Sequence, residues 1–366
     1  MTKTYLLILV ATSMCYYTMS QTVRKYSNEF LNIGVGARGL AMGTAQAASC
    51  EDVYSAYYNP AGLARIQNTF QLGFMHTEYF AGIAKWDFGA FAVPIRDKKS
   101  VIGISFYRFG VDDIPNTLFL IGPDNSINYN NIRSFSVADY AFMFHYAQKL
   151  PVEGLTVGGS AKVIYRQVGT FAKAFGFGID AGLQYRWKGL QAGLMLRDIT
   201  TTFAAWDFTF TEEEKRVLLQ SNNQLPASTT EITVPHIHLG LAYKVSIKNK
   251  FFILPEANFI FSTDGRRNVL LSAKPISMDI NAGLELNLFN IGYIRGGFNN
   301  LQRIYAEDGK QSFSLSPCMG VGVHIKVISL DYALTNLTTL NSNNTGSTGL
   351  YSNVISLRLD INKRKP

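Results

Sequence analysis

Stretches in which large apolar residues alternate with glycine and small polar residues constrain this chain more than any other feature. In FGFGIDAGLQYRW (175–187), Phe175, Phe177, Ile179, Ala181, Leu183, Tyr185 and Trp187 oppose Gly176, Gly178, Asp180, Gly182, Gln184 and Arg186. A period of two places these two sets on opposite faces of a strand. MDINAGLELNLF (278–289) repeats the pattern, with Asp279, Asn281, Gly283, Glu285 and Asn287 on its polar side. VISLRLDI (354–361) sets Ile355, Leu357, Leu359 and Ile361 against Ser356, Arg358 and Asp360. Runs of this kind predict about fourteen strands, many longer than the roughly five or six residues usual in soluble proteins.

The connections between runs alternate in length. IRDKK (95–99), KLPVEG (149–154), KG (188–189) and SIKNK (246–250) are short, whereas 110–132, 200–231 and 337–349 are long. Membrane barrels sort tight turns and long loops to opposite ends in this way. Only 16% of the 366 residues are charged, against roughly 25% in ordinary soluble proteins. Past the N-terminus no apolar run reaches the roughly 20 residues that a membrane helix needs. The expected fold is all-β: a transmembrane antiparallel β-barrel of about fourteen strands. Its large apolar side chains face lipid and its small polar ones face the bore, because the closed sheet pairs every backbone group. A water-soluble barrel or β-sandwich with an apolar core is the alternative.

Residues 1–20 resemble an export signal, with Lys3, an apolar stretch from Tyr5 to Ala11, and Thr18-Met19-Ser20 before Gln21. Segment 21–68 then precedes the first strand. It carries GARGLAMGTAQAAS (36–49) and YYNPAGLA (57–64). Small side chains let a backbone lie close to a wall, Asn59-Pro60 initiates a turn, and Gly62 permits a reversal. A bore of about fourteen strands is too wide for wall side chains to fill. The segment is therefore expected to form a plug inside a barrel spanning 69–361, followed by a basic tail, 362–366. Arg96, Lys98, Lys99, Lys188, Lys248 and Lys250 fall in the short turns and gather at one rim. There they are solvated, or meet phosphate-rich headgroups of outer-membrane lipid or an acidic partner. The net charge of +8 is too dispersed to argue for nucleic acid.

The segment FLNIGVGARGLAMGTAQAASCEDVYSAYYNPAGLA (30–64) resembles the N-terminal signature of the PorV/PorQ family of Bacteroidota outer-membrane proteins, within the wider FadL superfamily. The shared elements are Gly36-Ala37-Arg38, Met42-Gly43, Asp52-Val53 and Tyr57-Tyr58-Asn59-Pro60-Ala61-Gly62. The resemblance implies a fourteen-stranded barrel with an N-terminal plug, in the outer membrane of a Gram-negative, Bacteroidota-type bacterium. It also implies a link to type IX secretion, with translocon or attachment-complex proteins and cargo signal domains as partners of a barrel that is itself monomeric.

No Gly-x-Ser-x-Gly, Walker loop or zinc-spaced cysteine cluster occurs, so no enzyme activity, cofactor or metal is expected. The plug residues singled out are Gly36, Arg38, Gly43, Asn59, Pro60 and Gly62. Arg38 needs a carboxylate, and Asp180, Asp279, Glu285 and Asp360 point inward by alternation. His236 and His238 share the lumenal side of their strand, where interior hydrogen bonding is the expectation. Cys50 in the plug and Cys318 on an inward face form a possible disulfide. Leu118, Phe119 and Leu120 in one loop, and Phe203, Trp206, Phe208 and Phe210 in another, offer a partner or ligand surface or a lid. The leading functional expectation is a non-enzymatic type IX secretion component that binds cargo or translocon proteins through these loops. The alternative is a FadL-like channel for uptake of small hydrophobic molecules.

Overall fold

The computed structural model describes residues 28–362 except 81, 123–124, 222, 249, 306–310, 337–339 and 342–350. The expected signal peptide, the start of segment 21–68 and residues 363–366 of the tail lie outside the described residues. The chain forms a closed antiparallel barrel of 14 strands in sequential order. They are β1 (Phe70–Tyr79), β2 (Ala84–Ile95), β3 (Ser100–Asn116), β4 (Arg133–Lys149), β5 (Leu155–Val168) and β6 (Ala172–Trp187). Next come β7 (Leu190–Arg197 and Thr202–Phe208), β8 (Thr229–Thr233, His236–Tyr243 and Val245–Ile247) and β9 (Phe251–Ser262). The ring ends with β10 (Ser277–Leu288), β11 (Gly292–Tyr305), β12 (Gln311–Ile325), β13 (Ile328–Asn336 and Leu340–Asn341) and β14 (Tyr351–Ile361). β1 closes on β14, with Phe70 opposite Ile361 and Glu78 opposite Asn353. No helix is long and apolar enough to cross a membrane.

The alternation read from sequence sorts the two faces. On β6 the outward Phe175 is 61% exposed, whereas the inward Asp180 and Gln184 are 2% and 0% exposed. Phe144 on β4, Ile104 on β3 and Ile355 on β14 are likewise exposed outward, and Glu285, Asn287 and Ser356 are buried inward. This is an inside-out arrangement relative to a soluble sheet, and the apolar exterior suits lipid.

Several strand ends differ from expectation, two of them markedly. β3 continues past residue 109 to Asn116, and β7 resumes at Thr202, so 110–116 and 202–208 are wall rather than loop. The β3 extension pairs with β4, Ile114–Asn116 opposite Phe135–Arg133, and that of β7 has partners on both sides: Ala172–Phe177 of β6 pair with Phe208–Phe203, and Thr202–Trp206 pair with Thr233–Thr229 of β8. Ladder hydrogen bonds override a composition that reads as irregular. Between the halves of β7 the ladder breaks at 198–201, where a side-chain cluster takes over. Lys162 Nζ meets Asp180 Oδ1 at 2.8 Å and also pairs with Asp198, while Asp198 N–H donates to Asp180 Oδ1 at 2.7 Å. After β7 ends at Phe208 comes the helix Glu212–Gln220, begun by a reciprocal cap in which Thr211 Oγ1 accepts from Glu214 N–H at 3.3 Å and Glu214 Oε2 accepts from Thr211 N–H at 2.7 Å.

If the outer face meets lipid, Phe144→Arg should lower the free energy of folding into vesicles by roughly 2 kcal/mol or more, the depth-dependent cost of a lipid-facing cation. Urea titration of folding in lipid vesicles measures this, and an unchanged midpoint would contradict the lipid-facing assignment.

Candidate functional site

Inward-facing residues on all sides of the barrel touch segment 28–66. Its backbone approaches so closely that wall positions must lack side chains. A Cβ on Gly182 of β6 would collide with Asn59 Oδ1, one on Gly158 of β5 with the Pro60 backbone, and one on Gly193 of β7 with the Ala47 carbonyl. The segment reciprocates at Gly43, which has φ 62° and abuts the Phe298 backbone of β11. Gly36 has φ 72°, and Gly62 lies against the Cys50 carbonyl. The run of small residues is thus the segment's half of a close backbone-to-wall contact.

Asn59 is the main polar anchor. Its Nδ2 donates to Ala47 O at 2.9 Å and Leu183 O at 3.1 Å, and its Oδ1 accepts from Ala61 N–H at 3.2 Å. The last bond caps the 3₁₀ turn Pro60–Arg65, which Pro60 starts without needing an N–H of its own. From the opposite wall, Ser356 Oγ of β14 accepts from Ala37 N–H at 2.9 Å, and Trp86 Nε1 of β2 donates to Gly34 O at 2.8 Å.

Charges inside the bore occur in linked groups. Of the four inward carboxylates, Glu285 is the one that meets Arg38, at 2.8 Å; it also receives Arg295 at 2.6 Å, and Arg295 reaches Asp331 at 2.6 Å. Asp360 is instead held by Arg358 at 3.1 Å, with Arg358 also bridging to Asp52 of the segment at 2.5 Å. Arg197 of β7 donates to Leu31 O, Asn32 Oδ1 and Tyr57 O, each at 3.1 Å, and lies over the Tyr57 ring. Arg197 was not singled out from sequence, and Asp52 and Arg358 were noted there only as a motif residue and a polar-face residue; the contacts between segment and wall give all three a role.

The possible disulfide does not form. Cys50 and Cys318 are both buried and remain thiols. Cys50 O accepts from Gln184 of β6 at 3.0 Å, whereas Cys318 sits in β12 between Gly297 of β11 and Thr335 of β13. Alternation correctly turned Cys318 inward but carried no information on which part of the segment faces β12.

Between the segment and loop 263–276 lies a cavity of about 370 Å³. Leu40, Thr44, Tyr57 and Tyr58 of the segment line one side. His236 and His238, both lumenal, line it together with Asp279 and Asn281 of β10 and Asn299 of β11. Among the described residues, no three His, Cys, Asp or Glu side chains are grouped to hold a metal. Arg267 of the loop binds Asp264 at 2.6 Å and Glu29 of the segment at 3.3 Å, tying loop to segment. For Asp264, burial raises the carboxyl pKa, but the hydrogen bonds and charge of Arg267 outweigh this and hold it below the usual carboxylate range.

The apolar groups expected on loops divide. Leu118, Phe119 and Leu120 are on loop 117–132 and half-buried, fixed by Leu118 N–H to Asn116 Oδ1 at 3.0 Å and by Asn131 Nδ2 to Phe119 O at 3.0 Å. Phe203, Trp206 and Phe208 instead belong to the second half of β7. Phe203 faces outward, while Trp206 is partly buried, donating to Glu231 at 3.1 Å beneath the Arg166 guanidinium. Phe210 follows the strand and stacks on Phe171 at 6.0 Å. A strand sends alternate residues to opposite faces, so these aromatics form no single loop surface.

The glycine contacts and the Glu285 cluster predict separable defects. Gly182→Val should unseat the segment while leaving the barrel closed, read as new protease cleavage within 28–66 of a product that keeps heat-modifiable gel migration. Glu285→Ala, which takes from Arg38 its carboxylate and leaves Arg295 with Asp331 alone, should cost about 3–5 kcal/mol of stability, measured by denaturant titration in detergent.

No protein-family model matches the chain, and no curated sequence does. Solved structures do. The chain is similar to the CymD monoaromatic hydrocarbon channel, with 13% identity, TM-score 0.55, and coverage of 91% of this chain and 99% of that one. It is similar to the Ralstonia pickettii toluene transporter TbuX, at 15% identity and TM-score 0.54, covering 90% and 98% of the two chains. The P. putida toluene transporter TodX gives 13% identity, TM-score 0.55 and coverage of 90% and 99%. These neighbours are a hydrocarbon channel and toluene transporters, and none of the three is a PorV/PorQ or type IX secretion protein by name. At such identities the likeness is one of fold, and it extends over nearly the whole chain.

Proposed function

We propose that this chain is an outer-membrane channel that admits small molecules from the long-loop side into the lumen. The observation that carries the reading is the cavity of about 370 Å³ between loop 263–276 and segment 28–66, inside a barrel whose fold is shared end to end with hydrocarbon channels. Pockets of a few hundred Å³ are the usual size for small-molecule sites.

In this reading the segment acts as a plug. Val35, Ala37, Ala41, Met42 and Ala61 are fully buried, so straight passage to the short-turn rim is blocked, and transit requires the segment to shift or the wall to part. The break in β7 at 198–201 adjoins the cavity, because Arg197 and His236, which pair across β7 and β8, both line it. The competing reading, capture of type IX partners by exposed apolar loops, is weakened by the placement of Phe203, Trp206 and Phe208 in the wall.

Gram-negative cells producing the full-length protein should take up a small solute, radiolabelled toluene or maltose, several-fold faster than cells producing none. Unchanged uptake of both, together with recovery of a giant barrel or secreted cargo on pull-down from detergent extracts, would favour the protein-binding reading instead.

A further inference from the structure

We propose that the lumenal cavity binds a neutral, hydroxyl-rich small molecule of mono- or disaccharide size. The proposal rests on the channel reading and narrows its substrate class.

Five of the cavity-lining side chains, from five different strands, each leave a buried polar atom without a hydrogen-bond partner: Tyr79 Oη, His238 Nε2, Asn281 Oδ1, Asn299 Oδ1 and Thr335 Oγ1. Tyr79 and Asn281 are only 2% and 4% exposed. Buried polar groups in folded proteins are nearly always satisfied, and one that is not calls for a reason. Here the unsatisfied atoms converge from β1, β8, β10, β11 and β13 on one space, which a ligand supplying the missing bonds would explain.

Their chemistry selects among ligands. The two amide oxygens only accept, whereas the phenol and the threonine hydroxyl can donate or accept and the imidazole does either according to its tautomer. A hydroxyl group both donates and accepts, so a polyol answers all five. The guanidinium groups at the cavity are already engaged: Arg267 with Asp264 and Glu29, and Arg197 with carbonyl and amide oxygens of the segment. An anionic ligand would have to displace those bonds. A hydrocarbon would keep water from the five polar atoms and give them nothing in return. Leu40 and the rings of Tyr57 and Tyr58 supply apolar area against which the C–H face of a sugar can rest.

The test uses the full-length protein in an amine-oxide detergent, which carries no sugar headgroup, with maltose as probe and saturation-transfer NMR as readout. Maltose should bind the unmodified protein, and Tyr79→Phe and Asn281→Leu should each weaken binding by about tenfold, the loss expected for one or two hydrogen bonds. The outward Ile355→Leu should leave it unchanged. Tyr79→Phe removes a hydroxyl that no protein group uses and keeps the ring, so the barrel should fold normally; heat-modifiable migration checks this. Absence of maltose binding overturns the proposal, as does binding that is equal in both cavity variants. Binding of toluene or propylamine that these variants alter, with no maltose signal, overturns it as well. Cavity binding without any cellular uptake would preserve the site and remove the channel, whereas uptake indifferent to both variants would preserve the channel and remove the site.

Discussion

The closed hydrogen-bond ladder is the constraint on which the rest of this structure depends. An apolar exterior leaves no water for unpaired backbone groups, so the sheet must meet itself, and β1 therefore pairs with β14 along its length. Closure then fixes which residues face where. Phe, Ile and Leu on one side of each strand become the outside, and glycine, serine, amides and acids become the inside. A ring of this circumference cannot fill its own bore, so the inside needs material from elsewhere in the chain. The small residues of 28–66 meet that need because the wall supplies glycines opposite them, and backbone rests on backbone.

A bore lined with polar atoms tolerates charge only in company. Glu285 serves two arginines, Arg358 serves two acids, and Lys162 meets two aspartates at the place where β7 leaves the ladder. These groups differ in what they join. Arg38–Glu285 and Arg358–Asp52 tie segment to wall, Arg267–Glu29 ties segment to loop, and Lys162–Asp180–Asp198 ties wall to wall. The floor, sides and roof of the cavity are therefore electrostatically linked, and a displacement of the segment would disturb ion pairs at several heights in the barrel.

Much of this was legible in the sequence because strand sidedness is a local property. The alternation in 175–187 and 278–289 assigned Asp180, Asn281 and Glu285 to the lumen, and the same rule nominated Glu285 among four carboxylates for Arg38. Asn59-Pro60 announced a turn that the structure uses as a capped 3₁₀ start. Strand length was less legible. Residues 202–208 join the wall because β6 and β8 happen to extend beside them, which is a property of neighbours rather than of FAAWDFTF. Three-dimensional pairing was least legible: alternation could not tell that Cys50 and Cys318 occupy different sectors, or that Arg197 reaches the carbonyls of Leu31 and Tyr57. The height at which the segment sits, and with it the cavity, likewise depends on contacts that no single stretch encodes. The PorV/PorQ resemblance rests on that same segment, whereas the structural likeness to hydrocarbon channels rests on the whole barrel.

The hydrogen bond from Ala37 to Ser356 joins residues 319 positions apart. It has a consequence for how the molecule is made. Asn59 cannot find its carbonyl partners until β6 and β7 exist, and Ala37 cannot find Ser356 until the last strand does. The first part of the chain to emerge thus waits longest for its final surroundings, a highly non-local arrangement of the kind that slows folding. Sealing the seam between the first and last strands and seating the contents of the bore become a single late event, so a chain lacking only its final strand would lose the closure and a wall of the seat together.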